Sequence, residues 1–173
     1  MGIFGESKVT SRVRDRSVLA QPGPLTARQA LAAVLPAVEK TSRRSRLGLV
    51  TSGEDIGADG RSLRWEFLFA FPSRQAGGLF GVEPCDIEAS ETALCLTSEV
   101  YPGVPAFEQP LPLDFKDSPE AVAEMARAGV DWVAGSTRMT LASRRLPGGS
   151  LVWCTEMFGK EYTTPFAGGG SGG

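Results

Sequence analysis

Residues 47–71 read LGLVTSGEDIGADGRSLRWEFLFAF. In the second half of this stretch Leu63, Trp65, Phe67, Phe69 and Phe71 alternate with Arg64, Glu66, Leu68 and Ala70. A period of two is the mark of a strand with one buried face. The run at 47–51 is a second, shorter apolar strand, and SGEDIGADG between them is rich in residues that accept turn geometry. The stretch therefore predicts an antiparallel hairpin with an aromatic inner face.

On the N-terminal side the period changes. Thr26 with Gln29 forms a capping box, and Ala27, Ala30, Leu31, Val34, Leu35 and Val38 follow at helical spacing. The helix is expected to stop near Thr41, with Pro36 kinking or ending its last turns. On the C-terminal side come two weaker strands, near 78–82 and 92–101. Residues 102–116 then hold four prolines and no period, which predicts a mostly extended connector.

After the connector the pattern restarts. Ser118 is the expected N-cap, with Pro119 at the first helical position. Val122, Met125, Ala126, Gly129, Trp132 and Val133 share one helical stripe, and Gly135 is the expected stop. Strands are predicted at 138–143 and 150–158, around Pro147-Gly148-Gly149. Ser118 falls on Thr26 at an offset of 92, and Trp153 falls on Trp65 at an offset of 88. The four-residue difference comes out of the hairpin loop, where length varies most readily. The expected fold class is α+β: two helix–β-hairpin repeats, with long helices packed on mostly antiparallel sheet. The expected division is an arm at 1–24, a first unit at 25–101, the connector, and a second unit at 117–167. The closing GGGSGG reads as an engineered flexible linker.

The segments LTARQALAAVLP, SGEDIGADGRSLRWEFLF and DSPEAVAEMARAG, with the later MTLASRRLPGGSLVWCTEM, resemble PepSY-like domains and, more loosely, cystatin-like folds. That resemblance covers roughly residues 25–158 apart from the middle segment. It implies a non-catalytic binding or inhibitory module. Members are often secreted or membrane-tethered, and this sequence carries neither an expected signal nor an anchor.

Composition narrows the chemistry. The chain has 173 residues, 42% hydrophobic and 22% charged, with a formal net charge of −2. These are globular values without an electrostatic pull toward nucleic acid. There is no histidine. Ser-His-Asp and Cys-His nucleophile arrangements are therefore excluded, as are His-containing metal sites. Cys85, Cys95 and Cys154 lack metal or redox spacing, which favours a reducing compartment. No apolar run is long enough to span a bilayer, and the first residues lack the apolar core of a secretory signal. A cytoplasmic protein without membrane insertion, cofactor or metal is expected.

Asp55, Asp59, Gly60 and Glu66 have the spacing of a calcium loop, but Gly57 stands where a ligand is needed and Glu66 lies in a strand. A hairpin turn explains the same residues. The partner-binding candidates are Ile3, Phe4, Arg12, Arg14 and Arg16 in the arm, with Phe107 and Leu111 in the connector. The function expected is a non-catalytic interaction or assembly module, whose partner is another protein or a second copy. One alternative is a small-ligand protein whose pocket is lined by Trp65, Trp132 or Trp153, although those rings fit a core equally well. The other is an enzyme using carboxylate and arginine chemistry, such as Glu66 with Arg64.

Overall fold

The computed structural model describes residues 9–14, 23–41, 45–72, 80–88, 93–101, 109–132 and 139–168. The chain is α+β. The elements run β1 (Val9–Arg14), α1 (Ala27–Thr41), β2 (Arg46–Ser52), β3 (Arg64–Pro72), β4 (Phe80–Glu88), β5 (Ala93–Tyr101), α2 (Ser118–Arg127), β6 (Ala142–Arg145), β7 (Leu151–Met157) and β8 (Lys160–Pro165). The strands form one sheet in the order β1-β5-β4-β3-β2-β6-β7-β8, antiparallel at every pairing.

The pleat fixes which face is covered. Trp65, Phe67 and Phe69 alternate inward on β3, and Ser52 and Val50 lie opposite Trp65 and Phe67. Thr51 points the other way and pairs with both Glu66 and Ala142, and Ala142 pairs with Cys154. Trp153 is therefore on the same face as Trp65. Ala27, Ala30, Leu31, Val34 and Val38 of α1 and Ala121, Val122 and Met125 of α2 join these rings in one buried cluster. Both helices thus cover one face, and among the described residues no helix lies on the other.

Each helix begins under a tryptophan. The indole N–H of Trp65 donates to the Leu25 carbonyl (2.9 Å), and that of Trp153 donates to the Lys116 carbonyl (2.8 Å). Leu25 and Lys116 each stand two residues before their helix. The central strands are also joined reciprocally. Val50 N–H donates to Ser143 Oγ (2.9 Å), and Leu141 N–H donates to Ser52 Oγ (2.8 Å). These hydroxyls satisfy buried amides where β2 and β6 share a single residue pair.

Several boundaries differ from expectation. α2 ends at Arg127, eight residues before the predicted stop at Gly135. Gly129, at φ +106, supplies the left-handed exit, and Gly129 and Val130 donate back to the Ala126 and Met125 carbonyls. Trp132 reaches the core from the following segment instead, its indole donating to the Val122 carbonyl (3.1 Å). The capping box at Thr26 and Gln29 forms in both directions. Pro36 lies inside α1 without ending it. Asp55 and Asp59 accept within the loop, as a hairpin turn requires: Asp55 from Ser62 Oγ and Leu63 N–H, and Asp59 from Arg61 N–H.

Two strands were not expected. β1 lies within the predicted arm and pairs with β5, and β8 follows a two-residue turn after β7. The connector is tied down over 109–116. Leu111 N–H donates to Leu47 O (2.7 Å), at the irregularity that breaks the β2–β3 register between Leu47 and Leu49. Phe115, from the same connector, packs on Trp153 and Phe166 with ring centroids 5.5 and 4.9 Å away.

Candidate functional site

The sheet face that no described helix covers carries Leu68, Leu49, Thr51, Glu66, Ala142 and Cys154, all partly exposed, and ends in a polar cleft of about 480 Å³. The cleft is built from local chemistry. β2 brings Thr51 and Ser52 to its edge, and β3 brings Arg64 and Glu66. The loop between them supplies Gly53, Glu54 and Asp55. A side chain at Gly53 would meet Asp55 Oδ1 at 2.6 Å and Arg64 Cβ at 3.1 Å, so the loop closes tightly only with glycine there. Thr140 completes the wall, held by the Leu141 bond to Ser52 and by the Asp55–Met139 bridge.

The lining is a mixture of carboxylates, one guanidinium and hydroxyls, suited to a polar ligand with both charges or to a polar surface of another chain. Arg64 and Glu66, the pair singled out from the sequence, do share this cleft. Asp55 is already committed to Ser62 and Leu63, and Glu54, Arg64 and Glu66 each hold further interactions. Among the described residues no group of three acidic or cysteine side chains is placed to hold a metal ion.

A second cleft, of about 360 Å³, lies over α2 and is lined by Lys116, Glu120, Ala123, Glu124 and Arg127. Lys116 is only 7% exposed. Its ammonium binds Glu124 Oε2 at 2.7 Å, and Thr164 donates to the same carboxylate. The lysine, then the Thr164 hydroxyl, hold the Glu124 carboxyl below its ordinary value of 4.5. A lowered folded-state pKa contributes stability above the unfolded pKa, and that contribution is lost as pH falls through the folded value. Glu124→Gln should therefore lower the melting temperature at neutral pH. Its deficit relative to wild type should shrink as the pH is taken below about 4. Melting curves across that range check this, and a deficit independent of pH would contradict it.

The remaining candidates are placed unevenly. Arg12 and Arg14 fall on β1, while Ile3, Phe4, Arg16 and Phe107 lie outside the described residues. Leu111, expected to meet a partner, is instead 7% exposed and belongs to the chain's own core. Trp65, Trp132 and Trp153 are buried with their indole N–H groups bound to backbone carbonyls, and none of them lines either cleft. Burial pushes the Cys154 thiol up, and the charge of Glu161 adds to the shift, so the side chain stays protonated and weakly nucleophilic near neutral pH.

Phe158 was missed by sequence reading. It stands at the β7–β8 turn, 87% exposed, with φ +52. The signal was Gly159 directly after an alternating strand, but Phe-Gly lacks the Asn or Asp that usually announces such a turn.

No family model matches the chain, and no match was found among curated proteins or among solved structures. Among the described residues no helix is long and apolar enough to cross a membrane.

Proposed function

We propose that this chain is a non-catalytic interaction module, a cytoplasmic subunit or accessory factor that presents the uncovered face of its sheet to another protein. The observation that carries this reading is the row of partly exposed Leu49, Leu68, Ala142 and Cys154 on a face that no described helix covers. A sheet face holding apolar side chains is stabilised by a second layer, and a partner can supply that layer.

The reading includes an internal duplication. The order β4-β3-β2-β6-β7-β8 is symmetric about the β2–β6 pair. Ser52 and Ser143 exchange equivalent bonds across that centre, and each unit's tryptophan caps its own helix entry. Two PepSY-like helix-and-hairpin units joined edge to edge account for these correspondences.

The test uses the intact chain as bait in cells of the source. Leu68→Arg puts a charge on the uncovered face without entering the core. The expected result is a protein captured by wild type and lost with Leu68→Arg, while thermal unfolding is unchanged. Equal capture by both would sink the outer-face reading. A chain lacking residues 1–24 reports separately on the arm.

The cleft of Arg64 and Glu66 favours a second reading, a site for a small polar ligand. Ligand-induced changes in amide NMR shifts confined to Gly53, Asp55 and Thr140 would put it first.

A further inference from the structure

Met157 pairs with Lys160, so Phe158 and Gly159 form a two-residue hairpin turn, with φ values of +52 and +74. Positive φ at both central positions is the geometry that Asn-Gly or Gly-Gly adopts at least cost. An aromatic side chain at the first position opposes it, because Cβ crowds the following carbonyl. The same ring is 87% exposed, while Phe115 and Phe166 are almost wholly buried. Conformation and solvation both count against phenylalanine here, and at 87% exposure the described residues bury little of the ring.

Side-chain contacts hold the strands beneath the turn. Lys160 Nζ lies 4.8 Å from the centre of the Tyr162 ring, Arg144 bridges to Glu161, and β7 is anchored by the buried Trp153. An aromatic side chain presented at a two-residue turn within a polar surround has the character of a binding hot spot, where a ring enters an apolar pocket. The surround is Glu156, Lys160 and Glu161, a mixture of signs without the basic cluster that an anionic bilayer selects.

We propose that Phe158 is the docking knob of this chain, its ring entering a phenyl-sized apolar pocket with a polar rim on a different protein. This rests on the interaction-module reading and assigns that module a contact at the β7–β8 tip.

The test is photo-crosslinking in cells, with benzoylphenylalanine replacing Phe158, Leu68 or, as a control tip, Pro147. The reporter at 158 is expected to give one adduct with a different protein, mapped by peptide mass spectrometry to apolar residues. Added wild-type chain should compete this adduct away, and Phe158→Asn should compete about tenfold more weakly. The Pro147 reporter should give no such adduct. Phe158→Asn should also raise the melting temperature by about 4 °C, since asparagine suits the turn. The proposal falls if the 158 adduct is absent, has twice the chain's own mass, or is competed equally by Phe158→Asn. It also falls if Phe158-dependent binding goes to phosphatidylcholine–phosphatidylserine vesicles, or if Phe158→Asn lowers the melting temperature. An adduct from Leu68 alone would leave the interaction reading standing without this knob. No adduct from either position would remove both.

Discussion

Gly60→Ala is expected to destabilise the fold by about 4 kcal/mol, because the new methyl has no space and the backbone is in the left-handed region. Gly60 has φ +71, and a Cβ there would sit 2.5 Å from the Cα and N of Pro119 and 2.6 Å from the carbonyl carbon of Ser118. These are backbone atoms at the start of α2, which cannot swing aside as a long side chain can. The junction also carries much of the link between the two halves. Ser118 Oγ donates to Gly60 O (2.6 Å) and accepts from Ala27 N–H (2.9 Å), while Asp117 accepts from Arg28 N–H (3.0 Å). The first turn of α1 is thus capped partly by residues that begin α2, and the hairpin loop of the first half sits against both. Ser118→Ala removes the hydroxyl without moving the backbone and should cost only about 1–2 kcal/mol. Denaturant melts of both variants check the order. A Gly60→Ala cost equal to or below that of Ser118→Ala would mean that the loop yields and the junction is loose.

Trp65→Ala and Trp153→Ala should each cost about 3–5 kcal/mol, the range for a large ring removed from a packed core. Both side chains are fully buried. Trp153 packs with Phe115 and with Phe166, the latter at a centroid distance of 4.7 Å, so its loss leaves two aromatic rings facing a void. Trp65 lies in the row with Phe67 and Phe69 under α1. Phenylalanine at either position keeps most of the packing and loses the indole bond to the helix entry, which should cost about 1–2 kcal/mol. A change near zero for either alanine variant would remove that ring from the core.

The aromatic alternation at 65–69 and the capping box at Thr26 were legible because each is a local pattern with a local cause. Leu63, however, expected on the buried face, is exposed. The N-cap of α2 is Asp117, not the expected Ser118, whose hydroxyl instead joins Gly60 and Ala27. The inward row Trp65, Phe67 and Phe69 follows from a period of two, and residues 62–71 already contain it. β8 was not legible. Its sequence, KEYTTP, has one aromatic and no apolar alternation, and its strand form comes from pairing with the backbone of β7. β1 was not legible either, because its partner β5 is some eighty residues away and the flanking charges read as an arm. The stripe of α2 misled because Trp132 is core without being helical. Once Gly129 ends the helix, the ring still reaches the cluster from the residues that follow.

The candidate site divides the same way. Arg64 and Glu66 could be paired from sequence because residues two apart on a strand share a face. Thr140 could not be added to them, since it is delivered by the Leu141–Ser52 bond between halves. By itself the sequence determined the α+β class, the identity of the buried aromatic face and the exclusion of histidine chemistry, all of which depend on residue type and short-range period. Only the tertiary structure decided the strand order, the placing of both helices on one face, the burial of Leu111 and the exposure of Phe158. Those depend on which backbone groups find partners far along the chain, and that choice is made by the whole sheet as it closes, not by any one segment.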